Sequence, residues 1–293
     1  MRIFLTIAGV FLLLIQNAGA AGLGGLKDVP FDDLSHKSIS RYGQQALQMR
    51  KDEWKHAETK NFVYHYFQSH IATAVSVEAE FYYKGISSEL EKDTEQWERK
   101  CHIYIFEKEE DWSQFKVAGK MEPWTGGLHM NGELFIVRRP EMKFKGSTLA
   151  HEVTHLVLDR FYGSGIPLWI NEGFAEYAGE RFYNTYYRAR GYVARPTAPV
   201  VQESGYIPLE KLVNAAAYPF DATEVDSFYN ESHRLVRFLC KKDKKQFLEL
   251  LGQLSKGGRF ETSFSRTFGS YFSTISALEM EFKPYAISKS EEQ

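Results

Sequence analysis

Three side chains with metal chemistry stand within one short stretch, His151-Glu152-Val-Thr-His155. On a helix, residues four apart lie one turn above each other, so both imidazoles project from one face towards one point. Two ligands of a single metal ion need that spacing. Glu152 lies about 100° further round such a helix, able to reach a water on the metal without ligating the metal itself. A metal lowers the pKa of such a water towards neutrality, and the carboxylate accepts its proton as it attacks a carbonyl. The plainer reading is a helix with two surface histidines, which has no use for Glu152.

The elements around this stretch are those a metal site needs. Ser147 or Thr148 stands where a helix cap belongs, and Leu149, Val153, Leu156 and Val157 give the helix a buried side. Gly163-Ser-Gly165 stops it, and Pro167 starts a second helix, Pro167-Leu-Trp-Ile-Asn171-Glu172-Gly-Phe-Ala-Glu176-Tyr177. A tight turn sets the two helices side by side, so Glu172 can meet the histidine pair from the facing helix. Two His and one Glu leave a fourth position open for water, the pattern of a catalytic zinc site rather than a structural one. One Zn²⁺ per chain is the expected cofactor, held by His151, His155 and Glu172. Glu176, one turn on, is the alternative third ligand.

HEVTH followed by PLWINEGFAEY resembles the gluzincin clan, which includes the thermolysin-like peptidases and the zinc aminopeptidases. It is most similar to the peptidase-MA-like domains of exported bacterial proteins. The resemblance spans about residues 60–285 and is specific at the two motifs and loose elsewhere. It implies a zinc metallopeptidase that hydrolyses peptide bonds in a protein or peptide substrate, with Glu152 as general base. By the same resemblance Glu172, in the Asn171-Glu172 pair, is the third ligand, and Glu176 orients a ligand histidine, with Asn171 also in support. The helix around Phe228-Tyr229-Asn-Glu-Ser-His233 would supply the group that stabilises the oxyanion, Tyr229 first and His233 second. The strand Glu133 to Val137 would be the sheet edge that pairs with extended substrate. In two respects the chain departs from the best-known aminopeptidases: only sixteen residues separate His155 from Glu172, and no GAMEN-like motif precedes the first helix. The rival readings are a cell-wall amidase or narrow processing hydrolase using the same site, and a degenerate zincin acting as a binding or scaffold domain.

Length and composition set the frame. A chain of 293 residues suffices for one large domain or two lobes sharing a core. A net charge of -2 and the lack of a basic stripe argue against a nucleic-acid partner. At the N-terminus Arg2, an apolar run from Ile3 to Ile15 and Ala18-Gly19-Ala20 form the three parts of a secretory signal. The run is too short for the roughly twenty residues of a membrane span. Residues 1–20 are therefore expected to be removed, leaving an exported chain, periplasmic or extracellular, with no stable membrane span. Cys101 and Cys240, the two cysteines, are as well suited to a disulfide as to separate core positions.

Along the chain, residues 21–58 read as an N-terminal arm and 59–140 as a small α/β lobe. That lobe has strands at 61–68 and 101–106, a helix over about 72–92, and a hairpin around Asn131-Gly132, a pair suited to positive φ. Residues 141–285 read as a helical lobe, with helices near 148–161, 167–183, 208–216, 225–240, 244–255, 259–268 and 272–284, and 286–293 as a frayed tail. The expected fold class is α+β and zincin-like: a small mixed β-sheet lobe with an edge hairpin, a mainly helical lobe, and the metal cleft between them. The aromatic run from Phe182 to Tyr192 reads as packing, and His36, His56, His65, His70, His102 and His129 as ordinary histidines without ligand spacing.

Overall fold

The computed structural model describes residues 25–94, 99–122, 125–139, 146–192, 200–219 and 221–288; the segment 1–20 expected to be a signal and the last residues of the tail lie outside them. Five strands form one mixed sheet: β1 (Lys55–Glu58), β2 (Phe62–Tyr66), β3 (Cys101–Phe106), β4 (Gly127–Met130) and β5 (Glu133–Val137), in the spatial order β1-β2-β3-β5-β4. The central pairs, β2 with β3 and β3 with β5, are parallel, and the two outer pairs are antiparallel. All six residues of β3 are buried, since the sheet is covered on both faces, which is why CHIYIF reads as an unbroken apolar run. Cys101, Ile103 and Ile105 face the main core, while Tyr104 and Phe106 join a smaller core with Trp112, Phe115 and Phe135.

The hairpin corrects one expectation. Glu133–Val137 is not the sheet edge, because β5 lies between β3 and β4, and the edge strand is β4. The reason is local. Asn131 and Gly132 take φ of 54° and 74°, a two-residue turn that folds β4 back outside β5. The apolar ELFIV strand takes the inner place, and the half-buried GLHM strand is left outside.

Helices α1 (Arg41–Gln48) and α3 (Glu109–Gly119) contribute to the smaller core. The N-terminal residues thus supply a helix and strand β1. Glu133 fastens α1, since its carboxylate accepts hydrogen bonds from the Ser40 amide and hydroxyl, both at 2.6 Å, and the Ser40 hydroxyl caps the helix. On the opposite face, α2 (Ser69–Glu89) lays Ala72, Val75, Ala79, Tyr82 and Ile86 into the main core at helical spacing. There it meets α4 (Thr148–Tyr162), α5 (Leu168–Arg188), the short α6 (Leu209–Val213), α7 (Ala222–Leu254), α8 (Phe260–Phe268) and α9 (Ile275–Ile287). The separate helices expected at 225–240 and 244–255 are the two parts of α7, broken at Asp243, where the backbone is extended (φ -162°, ψ 103°) and the carboxylate starts the second part by accepting from the Gln246 amide. Among the described residues no helix is long and apolar enough to cross a membrane. Both cysteines are free, and burial pushes the Cys101 thiol up to about 12.

Helix α5 passes between α4 and α7, and two glycines permit it. A Cβ on Gly179 would stand 3.0 Å from the backbone nitrogen of His151, and one on Gly173 would stand within 2.3 Å of the Ser232 carbonyl oxygen. That close approach brings the two motifs together.

Candidate metal centre

Helix α4 buries Leu149, Val153, Leu156 and Val157, as its pattern predicts, and turns His151, Glu152 and His155 towards a cleft. Ser147 stands at the N-cap without a side-chain capping bond, and Gly163, with φ of 72°, ends the helix. From α5, Glu172 reaches across. His151 Nε2 and His155 Nε2 are 3.0 Å apart, and Glu172 Oε2 lies 3.6 Å from the first and 3.5 Å from the second. These three are the one group of metal-capable side chains of this kind among the described residues.

The protons around these atoms decide what the site wants. Glu176 Oε1 is 3.1 Å from His151 Nδ1, and Asn171 Oδ1 is 3.2 Å from His155 Nδ1. A carboxylate and an amide oxygen only accept, so each Nδ1 carries a hydrogen, and whenever a ring is neutral its Nε2 presents a lone pair. Two lone pairs and a carboxylate oxygen therefore face one point. Glu172 is buried, and its Oε2 has no hydrogen-bond partner. Such an arrangement is repulsive by itself and fits a divalent cation, with the outer partners fixing the tautomers of its ligands. Glu176 sits behind His151, on the Nδ1 side, while Glu172 faces both Nε2 atoms.

The carboxylates favour positive charge at this point, whether from protons on the imidazoles or from a cation that replaces them. Burial would raise the Glu172 carboxyl, but the His155 and His151 imidazoles outweigh it and hold it well below its ordinary value. Burial likewise opposes charge on His151, and the Glu172 and Glu176 carboxylates overcome it and raise the imidazole well above its usual range. Burial pushes Glu152 up, against the pull of His151 and His155, which suits a group that must take and release a proton.

Glu152 lies against the edge strand. A Cβ on Gly127 would stand 3.0 Å from both Cγ and Oε1 of Glu152 and 2.6 Å from Thr148 Cγ2, so only glycine lets β4 pass there. The cleft is bounded by β4, α4, α5 and the start of α7, and Tyr42 of α1 reaches its rim. Its volume is about 1310 Å³, above the several hundred Å³ usual for a small-molecule pocket.

Tyr229 lines this cleft, its hydroxyl raised out of the titrating range by burial and then by Glu172. His233 does not line it. Its ring is buried one turn further along α7, with Nε2 3.7 Å from Glu180 Oε2, and burial lowers its pKa to about 4. Two residues escaped the sequence reading. Tyr218, just before α7, donates a hydrogen bond of 2.6 Å to Glu172 Oε1. His129 on β4 lines the cleft, buried enough that its pKa falls to about 3. Neither carried a spacing signal, since Tyr218 is in an irregular segment and His129 looks like any alternating strand residue. The run from Phe182 to Tyr192 packs away from the cleft; Tyr186, for instance, sits against Phe81 and Tyr82.

A mixed sheet with a helix pair presenting His, Glu, His and Glu at a cleft defines a metallopeptidase-like domain. The family model described as the Peptidase MA superfamily matches residues 85–286, and the chain belongs to that superfamily. A comparison with curated protein sequences gives no match.

Proposed function

We propose that the protein is a zinc-dependent peptidase of the gluzincin type, acting after export. The observation that carries this reading is the convergence of two Nε2 lone pairs and the unpartnered Glu172 Oε2 on one point beside Glu152, in a cleft roomy enough for a polypeptide. His151, His155 and Glu172 would hold the ion, and Zn²⁺ suits two imidazoles and a carboxylate. Bound there, it supplies Lewis acidity, lowering the pKa of a water and polarising the scissile carbonyl. Glu152 takes a proton from the attacking water as the new C–O bond forms, and returns it to the departing amine as the peptide C–N bond breaks. Tyr229, a hydroxyl donor at the cleft wall, steadies the negative charge that develops on the carbonyl oxygen.

Elemental analysis of the purified mature chain tests the centre. The expected result is about one zinc per chain, lost in His155→Ala and kept in Glu152→Gln, with cleavage of a peptide library abolished in Glu152→Gln. A wild-type chain that holds no zinc after reconstitution sinks the reading in favour of a binding domain. A mature N-terminus near Ala21 is expected for the exported protein, and an intact Met1 in secreted material would overturn export by a cleaved signal.

A further inference from the structure

Glu172 has two oxygens, and they live in different surroundings. Oε2 faces the histidine nitrogens and has no hydrogen-bond partner, whereas Oε1 accepts 2.6 Å from the Tyr218 hydroxyl and 3.5 Å from Asn171 Nδ2. The Tyr218 ring is itself held. It stacks on Tyr229 with the planes 9° apart and centroids at 6.1 Å, and it meets Phe228 edge-on at 6.3 Å. The side chain therefore rests on the first turns of α7 while its hydroxyl points into the site. The residue as a whole is 46% exposed, so it adds little to the core.

We propose that Tyr218 is a positioning residue that confines Glu172 to ligation through Oε2 alone. This rests on the metal reading above. A carboxylate next to a divalent cation can turn to offer both oxygens, and a second oxygen would fill the position that substrate and water need. The phenol opposes that rotation, because Glu172 can bring Oε1 to the ion only by giving up a short hydrogen bond to a neutral donor. A tyrosine hydroxyl carries a proton to donate, and here it is turned to Glu172 Oε1. Tyr218 acts through Glu172 and has no need to touch the substrate.

The test uses Co²⁺ in place of zinc, since its visible spectrum reports coordination number. In the mature full-length chain, Tyr218→Phe keeps the ring and its stack on Tyr229, and circular dichroism checks the fold. The expected result is a Co²⁺ affinity weaker by about 10-fold or more, with visible bands that lose intensity as coordination number rises. kcat on a cleaved peptide should fall while KM stays put. Wild-type affinity and spectrum in a folded Tyr218→Phe would overturn the proposal. So would a change confined to KM, which would make Tyr218 a substrate contact. A wild-type chain that takes up no Co²⁺ refutes the metal centre itself, and the positioning role with it.

Discussion

Single atoms decide the character of the cleft. Gly127 is the clearest case, because Thr148 and Glu152 both crowd the place its Cβ would take. Gly127→Ala should displace the carboxylate by a fraction of an ångström and lower kcat by about 10²-fold, with zinc content unchanged; steady-state kinetics beside elemental analysis checks both halves. Glu176 behaves differently, as it touches His151 from behind. Glu176→Gln should weaken zinc affinity by about 10- to 100-fold without emptying the site at saturating metal, read by competition with a chelator. At this scale the sequence was most legible for His151, Glu152 and His155, since helical periodicity alone gathers them. Glu172 was legible through its own motif. Tyr218 and His129 were not, because their places depend on where an irregular segment and an edge strand come to rest, and no local pattern encodes that.

The elements carry opposed pH responses. Across β1, β2 and β3, His56 Nδ1 lies 2.8 Å from His65 Nδ1, and His65 Nε2 lies 2.9 Å from His102 Nδ1, so sheet pairing lines up three imidazoles. Burial holds His65 well below its ordinary value and His102 at about 4. A depressed histidine gives its full stability above the unfolded pKa of about 6.5 and loses it as pH falls through the folded one. Thermal melts should therefore show the wild type losing stability from about pH 6.5 down to 4, and His102→Gln should flatten that slope. In α7 the sign reverses. Glu231 is buried, with Oε2 accepting from the Ile207 amide, and burial raises its carboxyl to about 8. Its stability is complete below the ordinary carboxyl range and fades as pH rises through 8. Glu231→Gln should match the wild type near pH 5 and melt higher near pH 9. Sequence periodicity foresaw most of these elements, including the break in α7. The sheet edge, taken from the family resemblance, was misplaced, because strand order is a tertiary fact that a hairpin turn constrains only up to which arm lies outermost.

For the whole molecule, the metal-bearing helices and the N-terminal residues sit on opposite faces of one sheet, and Glu133 ties the second group down. Glu133→Ala removes two hydrogen bonds to Ser40 and should cost about 2–3 kcal/mol, with limited proteolysis appearing first within residues 31–54. β4, meanwhile, ends the sheet at the cleft with only four residues. A free sheet edge accepts any extended backbone, whatever its side chains. A folded protein keeps its own strands and helices engaged, and it offers such a backbone only when a segment opens locally. If cleavage runs along β4, the enzyme therefore samples the conformational state of a protein before its sequence, and cleavage of a stable target should follow the opening equilibrium of that target. Damaged or partly unfolded chains would meet this cleft first.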